Sequence, residues 1–300
     1  MRLKFAVALA SFVLLSGAQM LRAQVGENPP AEQGFTVTSD VTYTTGAVGQ
    51  LKADVYIPKG TGPFPGIVFI HGGGWKNGDR NQMIKLIQAL AEDAYVGFTI
   101  EYDVDPVHFP ASFHESLAAV EFFKAHAAEY RLDPARVGVA GSSAGGELAA
   151  LVALDPEGST FDNAPTAEQA KAGELARVQT AVILNGVLDL TAQGDSSQSV
   201  TDYLGGTCSS HPRDCKDASP QFHVHAGAPS FYVGHGTVDQ SVSFAQAVAF
   251  TKALEAANVP MQFFQAQDGK HTFWADPRFF AGNLQAIETF LDFHLRRNQR

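Results

Sequence analysis

The sequence predicts an α/β fold: a mainly parallel central sheet with helices on both faces and no large cap domain. Three observations carry that expectation. Short apolar runs such as Gly66-Ile67-Val68-Phe69-Ile70 have the length and composition of strands buried on both faces. Segments with helical periodicity separate these runs, as crossover connections require. Glycine-rich turns follow directly on several of the runs, at the carboxyl ends where open sheets of this kind bind ligands.

In chain order, Phe35 to Tyr43 and Leu51 to Ile57 read as paired strands joined by a turn at Gly46 to Gln50. Gly66 to Ile70 is the next strand, Met83 to Asp93 a helix, and Tyr95 to Tyr102 a buried strand. Ser112 to Tyr130 reads as a long amphipathic helix and Val137-Gly138-Val139-Ala140 as a strand. A helix begins near Glu147, and Thr180 to Leu184 is a strand. Pro229 to Val233 and Met261 to Gln265 are strands flanking a helix at Ser243 to Ala257. Phe279 to Arg297 closes the chain as a helix whose last turn carries basic residues, suiting the helix dipole.

Gly141-Ser142-Ser143-Ala144-Gly145 lies between a strand and a helix with a serine at its apex, the pattern of a nucleophile elbow. So sharp a turn needs small residues two before and two after the nucleophile, because a side chain there would strike the adjoining strand or helix. Ser143 has glycine at both positions, whereas Ser142 would have Ala140 and Ala144, so Ser143 is the candidate nucleophile. Upstream, the Gly66 to Ile70 strand runs into His71-Gly72-Gly73-Gly74-Trp75, where glycines let backbone N–H groups approach a developing oxyanion. Downstream, Gly234-His235-Gly236-Thr237-Val238-Asp239 ends one strand and Gly269-Lys270-His271 follows another, in the order serine, acid, histidine.

These segments together resemble the α/β-hydrolase superfamily over roughly Phe35 to Arg297. Within it the chain is most similar to bacterial esterases of the hormone-sensitive-lipase type and to the related feruloyl and acetyl-xylan esterase group. Ala218-Ser219-Pro220 and Arg131-Leu132-Asp133-Pro134 resemble recurring segments of that second group. Such relatives usually carry His or Asn where this chain has Glu147, and Arg where it has Asp103. The resemblance implies a catalytic triad of Ser143, Asp239 and His271. It also implies an oxyanion hole formed by the N–H groups of Gly73, Gly74 and Ala144; spacing alone does not choose among Gly72, Gly73 and Gly74. Asp189 also follows a strand and Asp268 lies near His271 in sequence, so both are alternative acids. The implied activity is hydrolysis of carboxylic esters through an acyl-enzyme, with short-chain or carbohydrate-linked acyl groups, acetyl or feruloyl, as substrates. The alternatives are a serine peptidase of the prolyl-oligopeptidase type, for which no propeller-sized domain precedes the core, and a non-catalytic binding protein of the same fold.

The amino terminus is set apart from the fold. A basic start, Met1-Arg2-Leu3-Lys4, an apolar run from Phe5 to Leu15 and small residues thereafter form the pattern of a secretory signal peptide spanning residues 1–23. Cleavage after Ala18 or Ala23 is expected, followed by a leader at 24–34 and a catalytic domain at 35–300. Export to a secreted or periplasmic location follows, with no stable membrane insertion once the signal is removed. The formal charge is −10, and loss of Arg2, Lys4 and Arg22 makes it −13, which argues against nucleic acid or anionic membrane as a partner. Cys208 and Cys215 share one polar loop of an exported chain and are expected to form a disulfide, stabilising by roughly 2 to 3 kcal/mol in the chain-entropy model.

Two polar, turn-rich stretches, Asp155 to Arg177 and Thr191 to Pro220, exceed ordinary connections and are expected to shape a shallow, open substrate entrance. No cofactor is expected. His223-Val224-His225 lacks a carboxylate or cysteine at ligand spacing, so no metal is expected there. His235 is expected to be a structural hydrogen-bonder near the acid loop, and Trp75 to pack beneath the oxyanion loop. Glu147 is expected to stabilise its helix through the dipole, with a grip on a sugar hydroxyl as the other reading.

Overall fold

A computed structural model of the chain describes residues 33–158 and 175–296. The expected signal peptide, nearly all of the leader and most of the stretch from Asp155 to Arg177 lie outside the described residues.

Among the described residues eight strands form one sheet: β1 (Phe35–Thr45), β2 (Gln50–Pro58), β3 (Phe64–Ile70), β4 (Val96–Ile100), β5 (Leu132–Ser142), β6 (Thr180–Leu184), β7 (Ser230–Gly236) and β8 (Met261–Ala266). Their order is β1-β2-β4-β3-β5-β6-β7-β8. β2 pairs antiparallel with β1 and β4, and β3 through β8 are parallel. The longer helices are α1 (Ile84–Glu92), α2 (Ala111–Ala125), α3 (Ala144–Leu154), α7 (Phe244–Ala256) and α8 (Pro277–Leu291). Between β6 and β7 come three short ones: α4 (Leu190–Gln193), α5 (Gln198–Leu204) and α6 (Pro212–Asp217).

Alternation along the strands divides the core into two layers. Ile67 and Phe69 of β3, Ala140 of β5 and Val182 of β6 face α1 and α8 through Leu86, Ile87, Ile287 and Phe290. Val68 and Ile70, Val139 and Ile183 face the other way, onto α2, α3 and α7 through Phe123, Leu148, Leu151 and Phe250. Both faces are therefore dry, which is why the strands read as continuous apolar runs.

The chain leaves β3 for β4 on one side and then crosses to β5 on the other, so the order reverses between β3 and β5. A reversal of this kind opens a crevice at the carboxyl ends of the two strands. The glycine loop leaves β3 there and the serine turn leaves β5 there.

Several boundaries differ from the sequence reading. β5 begins at Leu132 rather than Val137, because Phe64 at the start of β3 already pairs with Leu132. β7 runs on through His235 and Gly236, which pair with Gln265 and Ala266. α2 gives way to turns after Ala125, and the Leu132 N–H reaches back to the carbonyl of Ala127. The stretch from Thr191 to Pro220 is not merely turn-rich: Asp189 and Ser197 cap α4 and α5, accepting from the N–H groups of Ala192 and Val200.

Candidate active site

Ser143 stands between β5 and α3 at φ 55° and ψ −121°, a left-handed conformation that is strained for a residue with a side chain. The neighbouring glycines make the turn possible. A Cβ on Gly141 would lie 2.0 Å from the carbonyl oxygen of Gly145, and one on Gly145 would lie 2.2 Å from that of Ile70. Ser143 is partly exposed, whereas Ser142 is buried with its hydroxyl donating to Gln82 Oε1 at 2.9 Å.

His271, in the loop after β8, places Nε2 2.9 Å from Ser143 Oγ and Nδ1 2.7 Å from Asp239 Oδ2. Asp239 is 8% exposed and also receives the N–H groups of Ser241 and Val242 on Oδ1, at 2.8 and 3.0 Å. His235 Nε2 lies 3.1 Å from Oδ2 and 3.0 Å from the carbonyl of Val242; both are acceptors, so this nitrogen carries the proton. Burial alone would raise the Asp239 carboxyl, but the bonds from His235, His271 and Val242 outweigh it and hold the group well below the usual carboxylate range. It is therefore ionised and acceptor-only, as a partner for an imidazolium must be.

The other two acids are elsewhere. Asp268 is exposed and accepts from Gln267, and Asp189 caps α4. Asn185, at φ 43° and 1% exposed, places Nδ2 3.3 Å from His271 Nε2 and 3.4 Å from Nδ1. No sequence pattern pointed to it.

The glycine loop leaves β3 beside the elbow. Gly73 has φ 131° and Gly74 φ 62°, and a Cβ on Gly73 would lie 1.8 Å from the carbonyl oxygen of Asn77. Among the described residues, the N–H groups of Gly73, Gly74 and Ala144 meet no acceptor, while that of Gly72 donates to Gln82 Oε1 at 2.7 Å. The choice that spacing left open is thereby narrowed: the Gly72 N–H is already engaged.

Behind this loop Trp75 is 2% exposed and donates through Nε1 to Glu147 Oε2 at 3.1 Å. Tyr203 of α5 donates to Glu147 Oε1 at 3.4 Å. Glu147 has no exposed surface, and burial pushes its carboxyl well above the usual range despite the lowering effect of those two bonds. Glu147 lies in the first turn of α3, as expected, but its burial corrects the reading of a grip on a sugar hydroxyl. A sugar grip needs an accessible group, which Glu147 is not. Every residue of α3 is buried.

Cys208 and Cys215 are bonded, with Cα atoms 5.2 Å apart, between α5 and the body of α6. His223 Nε2 lies 2.7 Å from the carbonyl of Asp217, and His225 has a backbone carbonyl beside each ring nitrogen, of Ala226 and of Leu154. Among the described residues no group of three or more His, Cys, Asp or Glu side chains is placed to hold a metal.

The site can form and break an acyl bond: a hydroxyl lies within reach of an imidazole, the imidazole is backed by a carboxylate, and unpaired N–H groups lie beside them. Comparison with known proteins agrees with this chemistry. Residues 53–254 match the BD-FAE family model. The probable carboxylic ester hydrolase LipM of Mycobacterium tuberculosis is 33% identical over 71% of this chain and 50% of its own length. Esterase LipQ of the same organism is 30% identical over 79% of this chain and 57% of its own. The chain thus spans about half the length of these curated relatives. Among solved structures, the butyrate-bound thermophilic esterase Est2 of Thermogutta terrifontis superposes with a TM-score of 0.73 and 25% identity, covering 88% of this chain and 96% of that one. The chain belongs to the BD-FAE family and has the α/β-hydrolase fold.

Proposed function

We propose that the chain is an exported serine esterase that hydrolyses short-chain or carbohydrate-linked carboxylic esters, acetyl and feruloyl esters among them, through an acyl-enzyme on Ser143. The observation that carries this reading is the unbroken line from Ser143 Oγ through His271 to Asp239, at 2.9 and 2.7 Å, with the glycine loop alongside. Ser143 Oγ attacks the ester carbonyl carbon as His271 Nε2 takes its proton, and the carbonyl electron pair moves onto oxygen. The N–H groups of Gly73, Gly74 and Ala144 receive that oxyanion. Collapse breaks the ester C–O bond, and His271 returns the proton to the departing alcohol. Water then repeats the sequence on the acyl-enzyme and frees the acid. Asp239 fixes the imidazole tautomer throughout.

Export rests on the basic, apolar and small-residue pattern of residues 1–23, with 24–34 as leader and 35–300 as catalytic domain. The polar insert from Thr191 to Pro220, in place of a large apolar cap, favours short acyl groups, and the butyrate carried by the Thermogutta neighbour agrees with that size. A hydrolysis screen over acyl lengths, with acetylated and feruloylated xylan fragments, tests the substrate class. The proposal expects short and carbohydrate-linked esters to be the best substrates; faster hydrolysis of long-chain esters at matched solubility would contradict it.

A further inference from the structure

Gln82 lies between the glycine loop and α1, in none of the motifs. Its Oε1 is 2.7 Å from Gly72 N and 2.9 Å from Ser142 Oγ. A backbone N–H can only donate, so the atom facing Gly72 is the amide oxygen and the orientation of the carboxamide is settled. One side-chain atom therefore joins the residue preceding the oxyanion glycines to the residue preceding the nucleophile.

The joint stands where the sheet no longer supplies one. The β3–β5 ladder ends at the pair Ile70 and Gly141, so the two chains leave the strands without further register. They remain close: a Cβ on Gly72 would lie 2.8 Å from the carbonyl oxygen of Ser142, 3.0 Å from Ser143 Cβ and 3.3 Å from Gln82 Oε1. The turn bearing Gln82 is itself anchored. Gln82 N–H donates to the carbonyl of Asp79, and Arg80 is paired with Asp40, Asp54 and Glu101 on β1, β2 and the end of β4. On the other side Met83 is 2% exposed in the core.

We infer that Gln82 is a positioning residue whose amide oxygen sets the distance between the oxyanion-binding N–H groups and Ser143 Oγ. This rests on the serine esterase reading. Oxyanion donors act only within a few tenths of an ångström of their proper place, and a misplacement of about 1 Å can cost on the order of 10²-fold in rate. The tie is made before substrate arrives, so its loss falls on the transition state and leaves ground-state binding alone.

The test is a double-mutant cycle of Gln82→Met and Ser142→Ala, read as kcat and KM on a short p-nitrophenyl ester. Inhibition by a trifluoromethyl ketone, which forms a tetrahedral oxyanion on Ser143, is measured beside it. Gln82→Met should lower kcat roughly 10- to 100-fold and weaken the ketone by a similar factor, with KM within about twofold. Ser142→Ala alone should lower kcat by about threefold, and should add nothing in the Gln82→Met background, because the atom it bonds is already gone. Wild-type kcat in Gln82→Met, a loss confined to KM, or losses that simply multiply in the double variant would overturn the inference. Should Gln82→Met fail to fold, Gln82→Ala and Gln82→Leu carry the same comparison, and failure of all three to fold would mark the residue as structural and overturn it too. Absence of ester hydrolysis and of fluorophosphonate labelling in the wild-type protein would instead refute the esterase reading, and the inference with it.

Discussion

Trp75 stacks on Tyr203 with ring centroids 4.3 Å apart and planes 4° from parallel, and both rings turn a polar atom toward Glu147. The glycine loop, the α3 helix and the insert between β6 and β7 are thereby joined at one buried carboxyl. Because burial pushes that carboxyl up toward its neutral form, Glu147→Gln should keep its volume and an acceptor for Trp75. Near-wild-type turnover and melting temperature are expected. Glu147→Leu leaves the Trp75 N–H and the Tyr203 hydroxyl without a partner and should destabilise by about 1 to 3 kcal/mol. Denaturant unfolding of both variants checks this; equal destabilisation by Gln and Leu would show that the charge, not the hydrogen bonds, matters.

Asp239 should be the acid. Asp239→Asn keeps the shape but favours the wrong imidazole tautomer, so turnover should fall by up to roughly 10⁴-fold. Asp268 is exposed and bonds Gln267, so Asp268→Asn should stay close to wild type. Initial rates of the two variants, with circular dichroism to establish folding, decide between them. A severe loss in Asp268→Asn with little in Asp239→Asn would reverse the assignment.

Buried carboxyls also give the fold a pH dependence of two signs. Burial pushes the Glu115 carboxyl up to about 7, with the neighbouring Asp103 carboxylate adding to it, against the lowering effect of the Asp103 N–H that Glu115 accepts at 2.8 Å. The folded state thus holds a proton that the unfolded chain releases. The stability this contributes is complete below the ordinary Glu value and is lost as pH rises through about 7. Asp239 works the other way: its carboxyl is lowered, so its contribution is present above the ordinary Asp value and lost in acid. Glu115→Gln removes the first effect alone. The melting temperature of the variant relative to wild type should therefore rise between pH 5 and pH 8, and a difference that stays flat or falls would contradict the account.

What sequence made legible was local. Gly141 and Gly145 flank Ser143 because backbone lies within van der Waals distance of both, and a steric demand of that kind leaves its mark in the residues themselves. The strands around the site were legible for a similar reason, since both faces of β3 and β6, and of β5 from Val137 onward, are buried. Contacts set by tertiary folding left no such mark. Gln82 reaches Ser142 across 60 positions, and Tyr203 meets Glu147 across 56. α4 to α6 were hidden because each has seven residues or fewer, too short for an apolar period to show. The burial of Glu147 was equally unmarked, because the enclosure of α3 is set by the elements packed around it.

The acyl-enzyme itself tests the central claim most directly. Protein mixed with excess p-nitrophenyl acetate should release a burst of p-nitrophenol equal to the enzyme present, provided deacylation is the slower step. Acid quenching within the burst, followed by peptide mass mapping, should place one acetyl group on the peptide containing Ser143. Ser143→Ala should show neither burst nor adduct, whereas Ser142→Ala should show both. Turnover retained in Ser143→Ala, or an acetyl group mapped to another residue on the path of turnover, would contradict the account.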